Sequence, residues 1–344
     1  MPEESIEHID FDELNKRALS QPLISHIYTA DPSAHVFGGK IYIYPSHDVD
    51  AGEAFDDLGS HFAMEDYHVI SMSNPGAEAK DEGIALHVKD VPWAEKQMWA
   101  PDAAEKEGAY YLYFPAKDYD GIFRIGVATS ASPTGPFKAE PEAIKGIFSI
   151  DPAVFKDDDN SYYLYFGGIW GGQLQRWRTG KFNAEGDGPL AHLPKDDEPA
   201  LCAKVARLTH DLLQVAEAPK DVIISDGNGN PLLQSDNGKR FFEASWMHKY
   251  NGRYYFSYST GDTHFICYAI ADNPYGPFRY AGRILNPVVG WTSHHSIIEF
   301  NNKWYLFYHD SSLSKGVTHL RSIKVTRLYY DEEGFIRTVN PYGD

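Results

Sequence analysis

The sequence predicts an all-β protein folded as a five-bladed β-propeller, and three observations carry that prediction. The 344 residues include 23 tyrosines, 19 phenylalanines and 29 glycines. Aromatic residues fit pleated surfaces and glycine serves tight turns. Aromatic strands that end in a small or polar residue recur along the chain: KIYIYPSHD from Lys40, YYLYFPAKD from Tyr110, YYLYFGG from Tyr162, YYFSYSTGD from Tyr254 and WYLFYHD from Trp304. Upstream of each, across a turn rich in Gly, Asp or Asn, lies a short run led by a polar residue.

Those leaders, in order, are Asp31 in ADPSAHVF, Asp102 in WAPDAA, Asp151 in SIDPAVF, Glu243 in FFEASWMHKY and His294 in SHHSIIEF. The fragments SPTGPF and NPYGPF echo each other, and Pro133 is separated from Pro274 by the same span as Asp102 from Glu243. Each unit supplies a hairpin with an aromatic face, and a lone hairpin is marginal in water. Five units around an axis bury every such face and leave only short edges. The innermost strand of each blade then brings its leader near a central channel. The long gap between Asp151 and Glu243 holds GGIWGGQLQRWRTG and KDDEPA; it reads as blade strands plus loops over one face, with a short helix around Leu201 to Leu208. A pair of β-sandwiches or a two-domain enzyme explains five equivalent leaders poorly, and no Pro/Ser-rich linker divides the chain. A single domain over residues 1–344 is expected.

Charge narrows the partners. Lysine and arginine number 31 against 49 acids, a formal charge of −18. That balance repels phosphate backbones and anionic lipid surfaces, so nucleic acid and membrane are not expected partners, whereas a neutral sugar is not repelled. Cys202 and Cys267 are the only cysteines, too few for a disulfide framework or a CxxC metal site. The opening residues MPEESIEHIDFDELNKRALS lack an apolar run, which leads to the expectation of a cytoplasmic protein.

Taken singly, an Asp before a Pro is a turn or capping residue. Glu243 stands differently, between FF and ASWM, in an apolar strand context that raises a carboxyl pKa. Once Asp31, Asp151 and Glu243 converge on one axis they cannot all ionise cheaply, and their pKa values should separate into acid and base roles. Displacement at a sugar acetal carbon needs that division.

YTADPSAHVFGGKIYIYPSHD, MWAPDA, SIDPAVF, FFEASWMHKYNGRYYFSYS and SHHSIIEF together resemble glycoside hydrolase family 43, in its single-domain β-xylosidase and α-L-arabinofuranosidase branch, from about His26 to Tyr330. The resemblance implies a five-bladed propeller and hydrolysis with inversion. It makes Asp31 the general base, Glu243 the general acid, and Asp151 the residue that orients Glu243 and keeps its pKa raised. His294 falls where the family often has GHxS with a hydrated calcium on the histidine; Ser293 replaces the glycine here. The alternative is a His hydrogen-bonded inside the channel. His295 belongs to the other face of the strand. Trp99 resembles the family's aromatic wall for the sugar, or is a blade-core residue. Arg321 in HLRSIKV either binds sugar hydroxyls through its fork of donors or lies on a strand surface. Asp102 is read as structural.

DGNGNP from Asp226 departs from a calcium loop at Pro231 and Asn237, and DDDN from Asp157 reads as a hairpin turn. GGIWGG lacks dinucleotide-fingerprint spacing, and P-loop, HExxH and GxSxG motifs are absent. The sequence therefore points to an inverting exo-glycosidase that removes terminal β-D-xylose from short xylo-oligosaccharides. α-L-Arabinofuranosidase or arabinanase action on arabinose-containing oligosaccharides is the alternative, because the two sugars present similar hydroxyls around the anomeric carbon. A propeller that binds glycans without cleaving them is the alternative of another class; binding alone does not need the Asp31, Asp151 and Glu243 trio. A metal-dependent phosphoesterase would need a clustered ligand motif that is missing.

Overall fold

A computed structural model describes residues 9–53 and 56–343. It is a five-bladed β-propeller. Blade 1 holds β1 (Tyr28–Phe37), β2 (Lys40–Asp48), β3 (Asp66–Met72) and β4 (Lys80–His87). Blade 2 holds β5 (Ala94–Lys96), β6 (Asp102–Lys106), β7 (Ala109–Asp118), β8 (Phe123–Ser130) and β9 (Lys138–Ala139). Blade 3 runs through β10 (Ala153–Lys156), β11 (Tyr162–Phe166), β12 (Lys204–Arg207) and β13 (Lys220–Asp221). β14 (Ile224–Ser225) is the parallel outer strand of blade 4, whose meander is β15 (Glu243–Tyr250), β16 (Arg253–Ser259), β17 (Ile266–Ala271) and β18 (Phe278–Leu285). Blade 5 is β19 (His295–Phe300), β20 (Lys303–Asp310) and β21 (Ser322–Leu328). Among the described residues a short helix precedes them, α1 (Phe11–Arg17), capped by the Asp10 carboxylate on the N–H groups of Asp12 and Glu13.

The apolar core is a set of wedges between neighbouring blades. Tyr44 and Val69 of blade 1 meet Leu112 and Phe114 of blade 2, and Tyr113 and Val127 meet Leu164 and Phe166. Tyr165 and Val205 meet Phe256 and Tyr258, and Tyr268 meets Leu306 and Tyr308. Ile41 and Ile43 close the ring against Phe307 and Ile323. A blade that presents apolar side chains on both faces is stable only between two others, which is why the hairpins repeat.

The proline echo has a structural meaning. Tyr44 of β2 donates its hydroxyl to the Pro133 carbonyl at 2.7 Å, and Tyr165 of β11 does the same to Pro274 at 2.6 Å. Each latches a blade to the outer turn of the next. At the junction of blades 1 and 5, Leu23 N–H donates to the Ile323 carbonyl at 2.8 Å and Thr29 N–H to Arg321 at 2.9 Å.

The expected helix at 201–208 is instead β12, whose Lys204–Arg207 pairs with Phe166–Tyr163 of β11. Val205 and Ala206 are fully buried there, and a waiting sheet edge outweighs local helix preference. Asp102 is buried and ties three blades: it accepts from Ser33 and its own neighbour Ala103 N–H, pairs with His35 Nε2 at 2.6 Å, and accepts from Val154 N–H.

Candidate active site

Two β-bulges aim carboxylates at the axis. In β1, Ala30 pairs with Ser46 and Ser33 with Tyr44, so Asp31 and Pro32 together oppose Pro45. In β15, Glu243 pairs with Ser259 and Trp246 with Ser257, so Ala244 and Ser245 oppose Tyr258. The extra residue leaves the ladder and bends the strand. Asp31 has φ 50° and Ala244 φ 63°, left-handed values uncommon for residues with a Cβ. Asp151, at φ 55°, lies just ahead of β10. Backbone donors freed at these kinks find fixed partners. Ala244 N–H donates to Asp151 Oδ2 at 2.8 Å, and Asp31 N–H to His309 Nδ1 at 3.0 Å. Accepting there assigns the His309 hydrogen to Nε2, which reaches the Thr292 carbonyl at 3.1 Å.

Asp31, Asp151, Glu243, His294, Trp99 and Arg321 all line one cavity of about 690 Å³; Asp102 does not. Arg321 is buried rather than on a strand surface, at 2% exposure. Its Nη1 donates to Asp31 Oδ1 at 3.0 Å and to Thr292 Oγ1 at 3.1 Å, while Nε and Nη2 clamp Asp48 at 2.8 and 2.6 Å. Ser46 donates to Asp31 Oδ2 at 2.7 Å. Arg321 thus spends most of its fork on two carboxylates, leaving little for a sugar.

The three acids separate electrostatically. Burial pushes the Asp31 carboxyl up, but the Arg321 guanidinium and His294 outweigh it and hold Asp31 well below the usual carboxylate range. Burial raises Asp151 to about 6, with His294 pulling against and Asp31 pushing further. Burial, then the charges of Asp151 and Asp31, drive Glu243 well above its ordinary value. No described residue donates a hydrogen bond to the Glu243 carboxyl, which keeps a partial opening to the cavity. The site therefore favours the ionised form of Asp31 and the protonated form of Glu243, two carboxyl groups driven in opposite directions in one pocket.

Trp99 is a wall of that cavity rather than part of a blade wedge. Its indole N–H is spent on the Phe62 carbonyl at 2.8 Å, and Phe123 backs it at 4.5 Å between ring centroids. Gly59 makes room, since a Cβ there would lie 2.8 Å from the indole. Sequence reasoning missed a second aromatic wall. Trp170, Phe242 and Trp291 meet pairwise at 5.3–5.7 Å and all three line the cavity. Its signal was in GGIWGG: four glycines around a tryptophan mark close backbone approach. A Cβ on Gly171 would stand 2.5 Å from the Leu58 carbonyl oxygen, and one on Gly168 2.6 Å from Ile150 and 3.2 Å from Glu243 Cβ.

His294 Nδ1 lies 3.5 Å from Asp31 Oδ1, and no described residue hydrogen-bonds its Nε2. A free ring nitrogen near Asp31 and Asp151 fits one ligand to a hydrated cation. Around it no three His, Cys, Asp or Glu ligands converge among the described residues, so water would have to complete the coordination. His295, on the opposite face, is buried and meets Ser257 Oγ at 2.6 Å.

A propeller cavity that brings together carboxyl groups driven in opposite directions, between aromatic walls, is the kind of arrangement that glycoside hydrolysis uses. The profile of glycosyl hydrolases family 43 matches residues 21–336, and the chain belongs to that family. It is 58% identical over 93% of its length to a xylosidase/arabinosidase 43A of Humicola insolens, spanning 99% of that protein. A β-xylosidase of Xylanibacter ruminicola is 58% identical over 91% of the chain and 97% of its own length. Among solved structures, a family-43 β-xylosidase/α-arabinofuranosidase from a compost microbial metagenome, bound to xylotriose in a calcium-free form, superposes with TM-score 0.92. It shares 63% identity, over 95% of this chain and 99% of that one.

Proposed function

We propose that this chain hydrolyses xylo-oligosaccharides from one end with inversion, releasing terminal β-D-xylose, and accepts α-L-arabinofuranose as its second sugar. The observation that carries the reading is the convergence of Asp31, Asp151 and Glu243 on one cavity, with the Arg321 guanidinium 3.0 Å from Asp31 and no such cation hydrogen-bonded to Glu243, so that Asp31 is held low and Glu243 is pushed up. Its relatives, named for xylosidase and arabinosidase activity, support the sugar class.

In the proposed reaction Asp31 removes a proton from a water as that oxygen bonds the anomeric carbon. Glu243 delivers its proton to the leaving oxygen as the glycosidic bond breaks on the opposite face. Asp31 ends protonated and Glu243 ionised, and exchange with solvent resets both. Arg321 and Ser46 fix the Asp31 carboxylate, Asp151 stabilises the protonated form of Glu243, and Trp99 offers an apolar face to the sugar ring. His294 would hold a hydrated calcium, whose charge and ordered water would support the channel end of the site.

Proton NMR of the protein with xylobiose, read before mutarotation, tests this. Fresh α-xylose is the expected first product, formed more slowly after exhaustive chelation. β-Xylose would mean retention and remove Asp31 from the base role. No cleavage of xylobiose or of an arabinan-derived disaccharide would favour a binding propeller.

A further inference from the structure

We propose that blade 1 carries a binding site for one divalent transition-metal ion of the zinc class, built from His47, Asp66 and His68, at the root of the segment that walls the pocket. Strand β2 ends Ser46-His47-Asp48. Ser46 and Asp48 face the axis, where they hold Asp31 and Arg321. Strand alternation turns His47 to the opposite face. The β2–β3 ladder pairs Ile41 with Met72 and Ile43 with Ile70; the same register sets His47 opposite Asp66. Pro45, without an N–H, helps end the ladder, and side chains take over. His47 Nδ1 meets Asp66 Oδ1 at 2.6 Å. His68, two residues along β3, shares the face of Asp66, and its ring centroid lies 4.6 Å from that of His47.

One ligand atom from each of the three residues lies within 4.8 Å of the others, all partly buried. Behind them Asp81 Oδ1 meets His68 Nδ1 at 2.8 Å, and Asp81 is itself fixed by Gly83 N–H at 2.8 Å and His26 Nε2 at 3.0 Å. That carboxylate places the imidazole hydrogen on Nδ1 and leaves Nε2 as a lone pair, the arrangement that orients metal-bound histidines. The lone pair stands 3.9 Å from Asp66 Oδ1, too far for a hydrogen bond, and two acceptors facing each other repel. A zinc-sized ion, with bonds of about 2.0–2.2 Å to nitrogen and oxygen, spans that gap. His47 exchanges its contact with Asp66 for the ion, and water fills the fourth position. Two imidazoles and one carboxylate favour zinc, nickel or copper over calcium, which prefers oxygen.

The location gives the ion a task. His47, next to the last residue of β2, and Asp66, the first of β3, flank the connection that supplies Asp56, Leu58, Gly59, His61 and Phe62 to the cavity wall. An ion there fastens both ends of that wall and stiffens the neighbour of Asp48, which grips Arg321.

Titrating the chelator-stripped full chain with Co²⁺ alone tests the site. The expected result is visible ligand-field absorption from one equivalent that excess Ca²⁺ does not displace, with a raised melting temperature. His68→Asn, or His47→Gln should that variant fail to fold, loses this equivalent, while Asp81→Asn weakens it about 10–100-fold. His294→Gln keeps it, which separates the site from any ion in the channel. No bound Co²⁺, binding as tight in folded His68→Asn or His47→Gln as in the parent, or loss confined to His294→Gln would each overturn the proposal.

Discussion

Arg321→Lys tests what keeps Asp31 ionised. The guanidinium serves Asp48 through Nε and Nη2 at 2.8 and 2.6 Å while Nη1 reaches Asp31 at 3.0 Å. A lysine concentrates its donors on one nitrogen and cannot reproduce that fork. At least one charge-assisted bond is lost, about 1.5–3 kcal/mol, which is roughly 10- to 150-fold in kcat/KM if Asp31 takes the loss. The sign follows from the proposed role of Asp31 as an ionised base. With its cation loosened it protonates at higher pH, so the acid limb of kcat/KM moves toward neutrality and activity recovers as pH rises. Stability changes in the same sense. A carboxyl whose folded pKa lies below its unfolded value of about 4 contributes stability above that pH and loses it as pH falls. The variant therefore loses less urea resistance between pH 5 and pH 3 than the parent. Xylobiose kinetics from pH 3.5 to 9, with circular dichroism to establish folding, measure both. A folded variant with the parental acid limb would refute the assignment of Arg321 as the group that sets Asp31.

Glu243→Ala should lower xylobiose hydrolysis about 10²–10⁴-fold and spare the fold, since its carboxyl has no protein hydrogen-bond partner among the described residues. An aryl xyloside with a good leaving group should lose far less; equal losses on both substrates would remove Glu243 from the acid role. Asp151→Asn keeps an oxygen to accept from Ala244 N–H, now at 2.8 Å, but deletes a like charge beside Glu243. Asp151 is raised to about 6, so the effect appears above about pH 6, where Glu243 ionises sooner and the alkaline limb moves to lower pH. An alkaline limb that stays in place would show that Asp151 does not set the charge of Glu243.

How far the site was legible depended on where each residue's partners lie in sequence. Asp31, Asp151 and Glu243 were visible because each leads a repeated hairpin, and repetition needs no knowledge of contacts. Arg321 was visible only as an arginine on a late strand. Its role rests on Asp48 and Asp31, which stand in another blade, and no local pattern announces a pairing of first blade with last. Trp170 and Trp291 were missed for the same reason, since they meet only when the connection between β11 and β12, inside blade 3, folds over Phe242, with Ile169 N–H on the Phe242 carbonyl. The helix expected at 201–208 failed through the opposite error: a local preference was read without the β11 edge that overrode it.

By itself, the sequence determined the hairpin repeat, its five polar leaders and hence the ring, because a two-faced apolar blade has nowhere to bury itself except between two others. Only the tertiary structure decided the chemistry of the acids. Three carboxyl groups of ordinary intrinsic pKa part company through burial and the placement of one guanidinium, and both are properties of the closed ring rather than of any segment of it.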